Sequence, residues 1–205
     1  MKTCTLLLAT LPLSASLLVA APLSFDFKDP KGVNNATFKL DAPLEAITGS
    51  GTGISGTVAF DPANPANTTG TISVATASLH VGNPMMKEHM LGEQWLDASK
   101  HKEITFVAKS LSNVKTTGDT TTADAKGSFT LRGVTKEISI PVKLTYLKDK
   151  LAARTNGQAK GDLLVIRSSF SIKRSDFAIN PKAPEDKVAD VIELTLSIAG
   201  AAPAK

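Results

Sequence analysis

The sequence predicts an all-β domain of antiparallel strands, and three observations predict it. Apolar and polar residues alternate with a period of two in run after run. Clusters of Gly, Pro, Asn and Asp separate these runs at hairpin spacing. A single segment carries helical spacing instead.

The chain opens outside that pattern. Met1-Lys2 supplies one positive charge, and Leu6 to Ala21 is an uncharged run rich in Leu, Ala and Val. Residues 1–21 therefore read as a secretory signal, cleaved near Ala20 or Ala21. The run is too short, and too soon followed by Phe25-Asp26-Phe27-Lys28-Asp29, for a membrane-spanning helix, which needs about 20 apolar residues. Cys4 lies at the front of the signal, so the exported chain is expected to lack cysteine and to be periplasmic or secreted. Without disulfides it depends on its core, which a domain of about 180 residues can supply. With 42% hydrophobic and 20% charged residues, the chain has the composition of one globular domain, placed at 22–200.

The first clear strand has Ile54, Gly56, Val58 and Phe60 on one face and Ser55, Thr57, Ala59 and Asp61 on the other. Asp61-Pro62-Ala63-Asn64-Pro65 ends it, and Ile72 and Val74 lie beyond that turn. The segment Asn83 to Asp97 should be a helix. Asn83 is suited to the N-cap and Pro84 to the first helical position, while Met86, Met90, Leu91 and Trp95 fall along one side. Gly92 disfavours a long helix by about 1 kcal/mol relative to Ala. Alternation returns with Ile104 and Phe106, and with Phe129 and Leu131. It is clearest where Ile138, Ile140, Val142, Leu144 and Tyr146 oppose Ser139, Pro141, Lys143 and Thr145. Leu164, Ile166, Phe170 and Ile172 come next, and Ile192, Leu194, Leu196 and Ile198 close the series. Turns are expected at Thr117-Gly118-Asp119, Arg132-Gly133, Asn156-Gly157 and Asn180-Pro181. Eight or nine strands joined this way form either a sandwich or a barrel, and periodicity does not choose between them. Ala201 to Lys205 reads as a disordered tail.

The formal net charge of +4 falls to +3 when Lys2 leaves with the signal. Lys and Arg occur in pairs such as Lys173-Arg174, not in clusters interleaved with aromatics, so no nucleic-acid partner is expected. The histidines are His80, His89 and His101; there is no Gly-x-Ser-x-Gly elbow and no His-Glu-x-x-His helix. Glu185-Asp186 sits in a polar stretch with nothing apolar to shift its pKa values. Enzymatic activity is therefore not expected.

Three stretches, in order, resemble the YceI-like family of exported, polyisoprenoid-binding barrels. The first is His89-Met90-Leu91, Trp95-Leu96-Asp97 and Lys100-His101-Lys102-Glu103-Ile104-Thr105-Phe106. The second is Gly127-Ser128-Phe129-Thr130-Leu131-Arg132-Gly133-Val134-Thr135-Lys136. The third is Ile172-Lys173-Arg174-Ser175-Asp176-Phe177-Ala178-Ile179 with Asp186-Lys187-Val188-Ala189-Asp190. His101 and Lys102 stand where the family usually has tyrosine and proline, and Lys31 to Gly51 lacks the early histidine-serine pair of many members.

The resemblance implies a lipocalin-like, eight-stranded antiparallel barrel with a short covering helix and an isoprenoid lipid, a polyprenyl phosphate or quinone, inside it for storage or transport. No cofactor is expected beyond that lipid, and no stable membrane insertion. The expected lining is Val58, Phe60, Ile72, Val74, Ile104, Phe106, Phe129, Leu131, Ile140, Val142, Phe170, Ile172, Leu194 and Leu196, with Met86, Met90 and Trp95 at the mouth. Gly56, Ala108 and Ser168 share the inward phase and leave volume. Arg132, Lys136 and Arg174 are candidates to hold a head group, with a surface ion pair such as Arg174 to Asp176 as the plainer role. Two other readings stand beside this one. Met85, Met86, His89 and Met90 place soft sulfurs and an imidazole within one helical turn, as copper(I) would want, in a periplasmic metal-binding module with a filled barrel. Strand edges or the helix serve a protein-interaction or homodimer module.

Overall fold

The computed structural model describes residues 21–204; the signal expected at 1–21 lies, but for its last residue, outside them. Eleven strands form one sheet: β1 (Leu23–Asp26), β2 (Asn35–Asp41), β3 (Ala46–Gly51), β4 (Ile54–Phe60), β5 (Thr69–Ala75), β6 (Leu79–Val81), β7 (Glu103–Thr117), β8 (Thr120–Leu131), β9 (Val134–Leu147), β10 (Gly161–Lys173) and β11 (Val191–Pro203). Two helices interrupt them, α1 (Pro84–Leu91) and the single turn α2 (Leu151–Arg154). All pairings are antiparallel, in the order β1-β4-β5-β7-β8-β9-β10-β11-β2-β3-β6, and β1 also pairs with β11 at Asp26 and Ala201. The result is a closed barrel of eight positions. The larger strand count arises because three positions are broken: β1 and β2, β3 and β4, and β5 and β6 each trace one path around a loop or a 3-10 turn.

The loop between β1 and β2 is organised by Asn34, 2% exposed, whose amide stands in for a ladder rung. Its Nδ2 donates to the carbonyls of Phe27 (3.0 Å) and Ala199 (3.1 Å), and its Oδ1 accepts from the Ala199 N–H (2.8 Å). Asp29 shapes the same loop, accepting from the N–H groups of Lys31, Val33 and Asn34. Burial pushes its carboxyl up, but those bonds and the charge of Arg154 outweigh it and hold it below its ordinary value.

The Arg132-Gly133 turn joins β8 to β9 with both residues at positive φ, 50° and 74°, the backbone a two-residue hairpin requires. The tail expected after Gly200 is instead strand: β11 runs to Pro203, opposite Gly161, so ladder bonds order it. α1 begins as its sequence predicts but is shorter than the expected segment to Asp97, with Asn83 Oδ1 accepting from the Met86 N–H at 3.2 Å and Pro84 in the first turn. It ends at Gly92, and Trp95 stands in the turns beyond it.

The core divides along the barrel axis. At the end away from α1, Phe25, Phe27, Phe60, Leu164 and Ile198 are almost wholly buried. At the α1 end, Leu79, Leu96, Phe129, Leu131, Ile172, Phe177 and Ile179 form a second cluster against which Met90, Leu91 and Trp95 pack. Between the two the barrel is hollow.

Candidate functional site

The alternation that makes each strand two-faced sends one apolar row per strand into the hollow, and the strands enclose a cavity of about 390 Å³. That volume falls within the range of small-molecule sites. The lining is overwhelmingly apolar. Of the expected lining residues, Val58, Ile72, Val74, Ile104, Phe106, Phe129, Leu131, Ile140, Val142, Phe170, Ile172, Leu194 and Leu196 all face it, and Met86, Met90 and Trp95 stand at the α1 end. Phe60 does not. It lies below the cavity, 2% exposed, with its ring 6.4 Å from Phe25 and 5.9 Å from Tyr146, because β4 continues past the cavity toward the closed end. Ala108 and Ser168 contribute open space as expected. Gly56 serves another purpose: at φ 128° a Cβ there would lie 2.0 Å from the Thr71 carbonyl oxygen, so the glycine admits a neighbouring backbone and not a ligand.

The sequence reading missed part of the wall. Phe38 and Leu40 from β2, Ile47 from β3 and Leu79 and Val81 from β6 also line the cavity. Their signal was present in Phe38-Lys39-Leu40-Asp41, where the period of two runs over only four residues. Ile179 and Val188, from the loop between β10 and β11, complete the mouth.

The three candidate cations separate clearly. Lys136 is held by Asp176 at 2.9 Å and faces solvent. Arg132 staples the rim, donating to the carbonyls of Ala178 and Glu93, both at 2.8 Å, while its Nε finds no acceptor among the described residues. Neither lines the cavity. Arg174 does, and it is 1% exposed. Its Nη1 donates to the carbonyls of Ile179 (2.7 Å) and Asn180, its Nη2 to Val188 (3.4 Å) and its Nε to Ala189 (3.5 Å). Its guanidinium lies 5.9 Å from the centre of the Trp95 ring. Its partners are main-chain oxygens, not the Asp176 carboxylate, which Lys136 takes. Asp190 stands nearby. Burial pushes that carboxyl up, but bonds from the Ser175 N–H and hydroxyl (both 2.8 Å), with the charges of Arg174 and Lys173, bring it below its ordinary value.

The covering segment is fixed on Asp97, at φ 46°, whose carboxylate takes Ser99 at 2.9 Å and Lys100 at 3.1 Å and whose carbonyl accepts from the N–H groups of Lys100 and His101. The Lys100 ammonium holds the carboxyl below its ordinary value. On α1, Met85 is 66% exposed and turned to solvent, whereas Met86, His89 and Met90 meet the cavity; the four do not face one point.

Comparison with known proteins agrees with this architecture. A family model for the YceI-like domain matches residues 29–200. The UPF0312 protein of Ectopseudomonas mendocina is 30% identical over 200 residues, covering 94% of this chain and 96% of that protein. The UPF0312 protein of Pseudomonas savastanoi is 32% identical over 140 residues; this chain spans 65% of its length and the match covers 66% of this chain. Among solved structures, BcnA of Burkholderia cenocepacia matches with a TM-score of 0.62 at 21% identity, covering 81% of this chain and 94% of that one. A polyisoprenoid binding domain from Saccharophagus degradans matches with a TM-score of 0.65 at 11% identity, covering 89% and 99%. The structural likenesses are likenesses of fold, and the sequence matches carry the assignment: this chain belongs to the family of YceI-like domains.

Proposed function

We propose that this protein is an exported binding protein that holds one long apolar chain of isoprenoid type inside the barrel, for storage or transport, and carries out no chemistry of its own. The observation that carries the reading is the hollow, apolar barrel interior. It is supported by the relative from Saccharophagus degradans, which is named for polyisoprenoid binding. Export is supported by the uncharged run Leu6 to Ala21.

Each methylene moved from water into such a cavity contributes roughly 0.8 kcal/mol, so ten give roughly 8 kcal/mol before ordering costs. Affinity near the micromolar range then needs few polar contacts. Among the described residues, Arg174 is the lysine or arginine that lines the cavity and can orient a polar end. Main-chain carbonyls hold its guanidinium at the cavity wall, and an acceptor or anionic head group is the ligand end that suits it. A non-catalytic role is supported by the YceI-like family match and by the structural neighbour named for polyisoprenoid binding.

Native mass spectrometry of the purified protein, followed by organic extraction of whatever it carries, tests the proposal. One co-purifying lipid in the isoprenoid mass range is the expected result. Protein that stays empty after incubation with quinones and polyprenyl phosphates would refute it.

A further inference from the structure

Toward the end away from α1 the cavity gives way to buried side chains. On β10 it includes Ile166 but not Leu164, and on β11 it includes Leu196 but not Ile198, both excluded residues being essentially inaccessible. Beneath that level lies an aromatic floor. Phe25 is 0% exposed and meets Phe60 and Tyr146 edge-on, with ring centres 6.4 and 6.3 Å away. The Tyr146 hydroxyl donates to Asp162 at 2.7 Å, which anchors the floor to β10. Just above it the wall recedes. Along β8 the cavity-facing side chains pass from Leu131 and Phe129 near the mouth to Ala125 at depth, and Ala108 of β7 is equally small, with Leu111 beyond it opposite Ala125. The hydroxyls at this end are already committed, Thr68 to the Pro65 carbonyl at 2.6 Å and Ser168 to that of Pro141 at 2.7 Å. The deep end thus offers apolar surface, with space beside the two alanines, and no free polar partner among the described residues.

We infer that this floor sets the length of chain the cavity accepts: the tail of a single linear chain runs down the barrel and stops on Phe25, Phe60 and Tyr146, with Ala125 and Ala108 shaping the space for its last isoprene unit. The inference rests on the lipid-binding reading above. An eight-stranded barrel is wide enough for one slender chain, so length, not girth, is the dimension left to discriminate.

The test is a competition series on the purified, delipidated full-length protein with geraniol, farnesol, geranylgeraniol and solanesol, which differ only in the number of isoprene units. Wild-type affinity should climb with each added unit and then level off once the tail reaches the floor. Ala125→Leu and Ala108→Leu fill the deep end and should each move that plateau to a shorter alcohol. The first over-long chain then loses at least about tenfold in affinity, while geraniol stays within about twofold. Phe60→Ala should move the plateau toward longer chains; because it also loosens the core, the two leucine variants decide the matter. Affinity that keeps rising to solanesol, or leucine variants that weaken all four alcohols equally or none, would overturn the inference. A wild-type protein that binds none of the four refutes the lipid-binding reading itself, a result distinct from a plateau that fails to shift.

Discussion

Asn34 shows how much one polar side chain can hold at a place where backbone pairing gives out. β1 and β11 share a single paired position, and the three bonds of the Asn34 amide extend that junction. Asn34→Ala leaves buried main-chain groups of Phe27 and Ala199 without partners and should destabilise the fold by about 2–4 kcal/mol, read from urea unfolding midpoints. Tyr146 supports a second prediction, and as the chain's one tyrosine it can be tracked by absorbance. Burial, then the hydrogen bond to Asp162 and the charges of Asp162 and Asp149, push its phenol up to about 12. The folded state therefore holds this proton more tightly than the unfolded state, whose tyrosine titrates near 10. The stability this contributes is intact below about pH 10 and is lost as pH rises toward 12. An alkaline titration should show one ionisation near 12 in the folded protein, and an ordinary tyrosine titration in folded protein would contradict the floor geometry.

At the scale of elements, α1 is only lightly anchored. None of its residues is buried, and it sits beside β6, whose other edge finds no strand among the described residues. Its cap, the Asp97 turn and the Arg132 staple hold it in place. Asn83→Ala should remove about 1 kcal/mol of helix stability. Because the strands do not depend on it, amide exchange over 84–91 should accelerate while exchange in β8 and β10 is unchanged. Equal acceleration in all three would show that the helix belongs to the global unfolding unit. The element was legible in advance because cap, proline and glycine fall at helix positions within ten residues. β2 and β3 were not, because Asn35–Asp41 and Ala46–Gly51 mix small, polar and apolar residues too evenly for a short alternation to stand out.

For the whole molecule, closure and hollowness belong together. Eight strand positions meeting edge to edge leave a lumen that side chains can fill or a ligand can occupy, and here small residues at depth leave it open. A hollow core forgoes contacts that a filled one would make. A bound chain should restore them, so the melting temperature should rise with the concentration of added geranylgeraniol, in line with about 2.7 kcal/mol at one hundred times Kd. A melting temperature indifferent to the alcohol would argue for a core that is stable empty and takes no such ligand.

The sequence by itself determined the class of fold, the strands from Ile54 onward, the helix with its cap, and most of the inward-facing residues of those strands, because each arises from a local period or a turn whose chemistry is written in a few adjacent positions. Tertiary structure decided what depends on residues far apart in the chain. It placed Phe60 in the floor instead of the wall, turned Ala201 to Pro203 from tail into strand through pairing with β10, and divided three equivalent-looking cations into two rim fasteners and one buried charge at the cavity. The physical reason is that periodicity tells which face a side chain occupies, while its depth along the barrel and its partners are set by the register of neighbouring strands, which no local pattern records.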